Sequence, residues 1–283
     1  TGMPTKSEQS DLYQAVFSAH GDVVRPVLAP TTVADTFETT VEAFNIAEQY
    51  QTPVIVLSDQ DIAQRKEVVA PIDTSRFEVL ERRRPTPSEL EDYVRFSMTD
   101  TGISPISQPG MKGGNYLGAG IEHNEHGDPT ASGAVHARMN EKRFRKLNSL
   151  RRRDDLYTIE GDRDSALGLI AWGSVAGVCR ESMELARERG LKVKLLVPRL
   201  LYPVNEDVYK SFFTSVEAGL VVEQSHQGQL YRLLRMFVDV PPDMRSFARS
   251  GANPFRPVEI VMELRNLMLS LQRRLQETLQ PQE

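Results

Sequence analysis

Ala166-Leu-Gly-Leu-Ile-Ala-Trp172, broken by Gly173-Ser174, decides the fold class. The run is short, apolar and closed by turn residues, as a buried strand is, and a helix can start at its break. The next segment has helical period. Val178, Cys179, Ser182, Leu185 and Ala186 share one face, with Arg and Glu residues opposite. Gly190 suits the left-handed position that ends a helix. A second apolar run covers Val193 to Val197, a helix is predicted over Asn205 to Phe213, and Ala218-Gly-Leu-Val-Val222 is a third run. Strands alternating with amphipathic helices predict a parallel sheet covered by helices. Residues 165–240 are therefore expected to be the core of an α/β domain.

Working outward, the pattern repeats upstream. Thr1 to Lys6 is a turn-forming segment with Gly2 and Pro4. A helix is predicted over Glu8 to Ala19, and a strand over Val23 to Leu28 that Pro26 interrupts. Thr31 or Thr32 can cap the next helix, which carries Val33, Phe37, Val41, Phe44 and Ala47 at helical spacing. Pro53 to Leu57 reads as a short buried strand ending at Ser58-Asp59. So 1–65 is a further α/β unit, about the last half of a doubly wound domain. Residues 66–110, rich in charge and Pro, read as an extended connector. A Gly-rich loop follows over 110–127. Residues 135–150 form a basic helix with Met139, Phe144 and Leu147, read as a solvated face or an interface arm. Near the end, Val261, Leu264, Met268, Leu271 and Leu275 make an apolar stripe, expected to pack on the parent fold or a partner subunit.

The 283 residues, 40% hydrophobic and 26% charged, suffice for two domains with sizeable cores. A net charge of -5 disfavours non-specific nucleic-acid binding. The lone Cys179 cannot hold an iron–sulfur cluster or an intrachain disulfide, and its place in an apolar stripe predicts a buried thiol. No run spans a membrane and no signal peptide is seen, so a cytoplasmic chain is expected. The start at Thr1, without an initiator Met, looks like the inside of a domain.

Among chemical candidates, Glu122, His123, Glu125 and His126 have metal-binding residue types. Their spacing is not a metalloprotease one, and loop hydrogen bonding is the expectation. No metal is assigned to this chain. The Gly-rich loop lacks a phosphate-loop context. Glu223-Gln-Ser-His226 follows a strand at the carboxyl edge of the sheet, where α/β folds put ligands. Turn chemistry and a domain interface are the alternatives there. Trp172 and Tyr202 are expected in the core, and His20 can cap a helix end. Taken by residue type alone, Thr1 to Lys6 is a structural turn.

Thr1-Gly-Met-Pro-Thr-Lys6, Gln9-Ser-Asp-Leu12 and His20-Gly-Asp22 resemble the α subunit of 2-oxoacid:ferredoxin oxidoreductases, of the 2-oxoglutarate type. Gly113-Gly-Asn-Tyr116, Gly120 to Gly127, His136 and Lys142-Arg-Phe-Arg-Lys146 extend the resemblance over nearly the whole chain. It implies an α/β fold: part of a pyrimidine-binding thiamine diphosphate domain (1–65), a connector (66–155), and a transketolase C-terminal-like domain with its C-terminal helix (156–283). It also implies an enzyme that converts a 2-oxoacid, 2-oxoglutarate first, to its coenzyme A thioester and passes electrons to ferredoxin, a reaction reversible as a carboxylation. A non-redox thiamine enzyme of transketolase type, or a non-catalytic interaction subunit of the same fold, is the alternative.

By the same resemblance the cofactors are thiamine diphosphate, Mg²⁺ and a [4Fe-4S] cluster, with coenzyme A as co-substrate. A partner β subunit holds the pyrophosphate, the Mg²⁺ and the cluster. A γ domain or subunit lies upstream, and the assembly is a hetero-oligomer, a dimer of protomers, that meets ferredoxin but neither nucleic acid nor membrane. The family's activating glutamate and substrate-facing arginine are expected upstream of Thr1, so no catalytic residue is named here. Thr1, Gly2, Met3, Thr5 and Lys6 are the expected substrate and cofactor-binding residues, with Lys6 suited to a second carboxylate.

Overall fold

The computed structural model describes residues 3–279. The first unit runs α1 (Leu12–Phe17), β1 (Val27–Leu28), α2 (Val33–Tyr50), β2 (Ile55–Val56) and α3 (Gln60–Gln64). Residues 66–132 carry one helical turn, the 3-10 segment Thr74–Arg76, and otherwise run as loop, as the Pro and charge content predicts. Then come α4 (Gly133–Arg145), α5 (Asn148–Arg151), β3 (Tyr157–Gly161), β4 (Leu167–Ala171), α6 (Val175–Glu188), β5 (Val193–Pro198) and β6 (Leu200–Tyr202). The chain closes with α7 (Glu206–Thr214), β7 (Ala218–Glu223), α8 (Gln229–Leu234), β8 (Met244–Ala248) and α9 (Pro257–Leu279).

The three apolar runs are β4, β5 and β7, and all three are buried along their length. They pair in parallel in a sheet of order β3-β5-β4-β7-β8. Parallel β8 and antiparallel β3 close its two edges. Gly190 takes φ +75 and ends α6 in a Schellman turn, with Leu191 N–H donating to Ala186 O at 2.9 Å and Gly190 N–H to Arg187 O at 3.0 Å. Cys179 is buried, and burial pushes its thiol pKa up, which keeps it inert.

β1 and β2 form a second, three-stranded sheet, completed by antiparallel β6. The run 193–202 thus serves both sheets, changing over at Arg199. One core cluster joins Leu12 and Val27 of the first unit to Ile170, Trp172 and Val221 of the second. Trp172 lies in that core as expected; Tyr202 is only half-buried at its margin.

Three local expectations are corrected. The first helix begins at Leu12 rather than Glu8, because Gln9 is held extended against the main sheet, its N–H donating to Gln224 O at 2.7 Å. The strand at Val23 shrinks to Val27–Leu28, since Pro26 has no N–H for a ladder. The basic helix is two helices, and its apolar and cationic face is not a solvated one: Met139, Lys142 and Leu147 are buried, while Phe144 is exposed.

α9 lays Val261, Leu264 and Leu267 against α6 and the sheet, with Met268 and Leu271 at the margin of the same cluster. The stripe is covered by the parent fold; the side chain of Leu275 lies outside the described residues. Leu264 is fully buried there. Leu264→Ala should cost about 2–5 kcal/mol, read as a lower denaturation midpoint with an unchanged slope. A midpoint equal to the parent's would mean that α9 does not seal the core.

Candidate functional site

In the main sheet, β4 leads through α6 to β5 on one side, while β7 leads through α8 to β8 on the other. The crevice between the carboxyl ends of β4 and β7 is thus the topological switch point, where open α/β sheets bind ligands. The chain's own first segment enters it. Gln9 Nε2 donates to Trp172 O at 2.8 Å, and Gln9 Oε1 accepts from Gln224 N–H at 2.8 Å. Gln224 Nε2 donates in turn to Ser7 O at 3.1 Å and to Gly251 O at 2.8 Å.

Asp59 closes the same junction from the other strand system. Its Oδ2 accepts from Ser174 N–H at 2.8 Å, at the start of α6, and its Oδ1 from Ile62 N–H at 3.1 Å, at the start of α3. One buried carboxylate therefore sits at two helix N-termini, where free N–H groups and helix dipoles favour negative charge. Asp61 N–H donates to Ser7 Oγ at 2.8 Å. Gly173 stands between these partners at φ +60; a Cβ there would lie 2.8 Å from Gln9 Nε2 and 2.9 Å from Asp59 Oδ2.

Beside this packed junction opens a cavity of about 810 Å³, within the usual size of small-molecule sites. Thr5, Lys6 and Ser7 line it together with Asp61, Arg65, Ser174 and Gln224. Thr5 holds φ 52, a left-handed backbone that costs a β-branched residue energy. Lys6 is exposed.

Of the expected site residues, Thr5 and Lys6 line this cavity, while Met3 is exposed and outside its lining. Thr1 and Gly2 lie outside the described residues. Gln224 stands in the Glu223–His226 stretch that the sequence offers as a ligand edge, whereas Ser7, Gln9 and Asp59 are not among the site residues that the sequence predicts. Each is an ordinary polar residue whose partner is distant in the chain, so no local spacing marks it. Glu223 turns out to be structural: it is buried, and accepts from Leu230 N–H at 2.9 Å and Tyr231 N–H at 3.1 Å, capping the start of α8. Burial pushes its pKa up, against those hydrogen bonds.

The loop carboxylates and imidazoles behave as loop anchors. Glu122 accepts from Arg143 Nη2 at 2.7 Å and pairs with His136; the Arg143 bond holds its pKa down at about 2. His123 Nδ1 meets Asn124 O at 2.8 Å.

Residues 1–142 match the family described as pyruvate flavodoxin/ferredoxin oxidoreductase, thiamine diphosphate-binding. The chain belongs to this family. Residues 166–260 match pyruvate:ferredoxin oxidoreductase core domain II. The alpha subunit of 2-oxoacid:ferredoxin oxidoreductase 2 from Aeropyrum pernix is 31% identical over 272 residues, 95% of this chain and 42% of that one. The 2-oxoglutarate oxidoreductase subunit KorA of Mycobacterium tuberculosis is 34% identical over 83% of this chain and 36% of that one. A solved 2-oxoglutarate:ferredoxin oxidoreductase from Magnetococcus marinus, with 2-oxoglutarate, coenzyme A and succinyl-CoA bound, superposes with a TM-score of 0.88 at 36% identity. It covers 94% of this chain and 46% of that one. The chain thus spans under half the length of these relatives. The family is the one that its motifs resemble, and the mixed α/β architecture agrees.

Proposed function

We propose that this chain is the α-type portion of a thiamine diphosphate-dependent 2-oxoacid:ferredoxin oxidoreductase that takes 2-oxoglutarate. Its products are succinyl-CoA, carbon dioxide and reduced ferredoxin. The relatives' names support the reaction class, and the observation that carries the site is the cavity at the sheet's switch point lined by Thr5 and Lys6. The two α/β units, 1–65 and 156–283, are taken as domains whose junction makes that cavity, with 66–155 as connector.

Thiamine diphosphate, when bound, supplies the electron sink for breaking the bond between the carboxylate and keto carbons. The residues here fit the substrate side of such a site: a hydroxyl, an ammonium group and a roomy polar opening. They do not fit its diphosphate end. Among the described residues no three His, Cys, Asp or Glu side chains gather as metal ligands, and the sequence has one cysteine. The Mg²⁺, the diphosphate and a [4Fe-4S] cluster are therefore assigned to a partner β subunit, and the electrons leave through it to ferredoxin. No helix among the described residues is long and apolar enough to cross a membrane, in keeping with a cytoplasmic assembly.

In this reading the Thr5 hydroxyl and backbone donate to the substrate's oxygens, and their left-handed turn fixes the donors before substrate arrives. Lys6 pairs with the distal carboxylate, which pyruvate lacks. Lys6→Ala in the complete complex should raise the KM for 2-oxoglutarate roughly tenfold and leave pyruvate unchanged. The broader test is a panel of 2-oxoacids with coenzyme A, read by reduction of a viologen dye. No reduction with any of them would remove the proposal; equal KM values in parent and Lys6→Ala would remove Lys6 from it.

A further inference from the structure

A separate cavity, sharing no lining residue with the first, lies between the connector and α4. Its volume is about 160 Å³, room for about five waters at ~30 Å³ each, so one tetrahedral ion and a few waters fill it. Arg95, Lys142, Arg143 and Lys146 line it, with His123 and Phe96 as its ring wall. No carboxylate is among its lining residues. The wall is built: Phe96 and His123 rings are 4.0 Å apart, and the Arg95 guanidinium lies 4.9 Å from the Phe96 centroid. Gly102 brings its backbone against α4 so closely that a Cβ would lie 2.5 Å from Lys142 O.

The cations are only partly compensated. Arg143 is spent on Glu122 through two hydrogen bonds, at 2.7 and 3.1 Å. Lys146 Nζ donates to Gln51 O at 3.0 Å and Arg95 Nη2 to Gln51 Oε1 at 2.9 Å, which are neutral partners. Arg95 Nε is buried without a hydrogen-bond partner. Lys142 is a buried lysine with Glu125 as its one nearby carboxylate. Three cations, Arg95, Lys142 and Lys146, less the one charge of Glu125, leave two positive charges over the cavity. Burying like charges together is costly unless an anion answers them.

We propose that this cavity is an anion site that takes one phosphate-type oxyanion, either free or as the terminal group of a larger metabolite. A dianion balances the two charges; a single carboxylate does not. Arg95 offers its planar fork and unused Nε–H, and the two lysines offer further donors. The electrostatics give the site a pH signature. Burial, then the neighbouring cations, holds the Lys142 pKa at about 8, and the same causes hold Lys146 at about 8. An anion binds the protonated amines, so affinity is full below that pH and falls as pH rises through it. The groups that face these amines are each other, Arg95, Arg143, Glu125 and the His123 wall.

Sulfate is the suitable probe, because its charge is constant across this pH range. Calorimetric titration of the native assembly at constant ionic strength should give saturable binding that weakens roughly tenfold from about pH 7 to about pH 9. Lys142→Met should weaken sulfate binding at the lower pH roughly tenfold while the melting temperature stays near the parent's. Arg95→Gln is the second variant should Lys142→Met fail to fold, with the same loss expected. Inorganic phosphate and a phosphomonoester compete with sulfate in parallel titrations. Competition by the first identifies a free ion, and by the monoester alone a pendant group. No saturable sulfate binding, affinity independent of pH, undiminished affinity in both variants, or displacement by succinate but by neither phosphate, would each overturn the assignment.

Discussion

Gly219→Ala is expected to remove a large share of the fold's stability. Gly219 faces Gly168 across the β4–β7 ladder, in the middle of the main sheet. A Cβ at 219 would lie 2.2 Å from Gly168 O, 2.9 Å from Gly168 C and 2.7 Å from Met244 Sδ. The methionine can swing aside, but the carbonyl belongs to a strand paired on both sides. Relief therefore means opening the ladder through the centre of the core. That cost exceeds ~4 kcal/mol, against a total stability of about 5–15 kcal/mol for a protein of ordinary size. The helical Gly177 is the control, with no atom within 4 Å of its built Cβ. Gly177→Ala should raise stability by about 0.5–1 kcal/mol through helix propensity. Soluble yield and denaturation midpoint of both variants read the difference. A Gly219→Ala protein with the parent's midpoint would mean that the strands do not approach so closely.

That glycine pair shows where sequence reading stops. Gly168 and Gly219 stand inside apolar runs, and the runs alone identify β4 and β7. The register that makes the glycines face each other is a tertiary fact. The same division holds elsewhere. Apolar period located α6, α7, β5 and α9, because each buries a continuous face and the pattern is local. It missed β8, Met244 to Ala248, whose burial alternates irregularly at a sheet edge, and β3, whose five residues are exposed or half-buried. Edge strands bury too little to leave a pattern. The basic helix departs from its expected solvated face for a related reason. Lys142 is charged by type and buried by position, in a region where Gly102 of the connector packs against the α4 backbone, and that is a tertiary fact.

The candidate site was legible at one end only. Thr5 and Lys6 stand in a motif, whereas the junction that fixes them is built from Gln9, Asp59, Trp172 and Gln224, scattered across more than two hundred residues. Polar residues that meet across such separations carry no period and no spacing. Asp59 is visible as the end of a strand, and Gln224 as part of the Glu223–His226 edge, but neither the Ser174 N–H that Asp59 accepts from nor the Gln9 amide that meets Gln224 is.

Gln9→Leu should separate the fold from the function proposed for it. The leucine fills similar space but removes both arms of the amide. Trp172 O loses its donor and Gln224 N–H its acceptor, in a region closed to water. Each orphaned group costs about 1–3 kcal/mol. The main sheet keeps its own ladder, so the loss falls on the attachment of the first segment. Ser7 and Gln9 are the fixed points nearest Thr5 and Lys6, so those two residues lose their position across the cavity. A displacement on the order of 1 Å costs roughly a hundredfold in rate when donors must meet a substrate in one geometry. Turnover of 2-oxoglutarate by the complete complex should therefore fall about a hundredfold, while a lowered melting transition stays cooperative and well above assay temperature. Gln9→Glu should fare no better. Its carboxylate can still accept from Gln224 N–H, but it sets an oxygen against Trp172 O. Ser7→Ala gives up only the bond from Asp61 N–H and should be the mildest of the three. If Gln9→Leu keeps the parent's turnover and KM, the switch-point junction does not position the substrate side of the cavity, and Thr5 and Lys6 owe their place to something else.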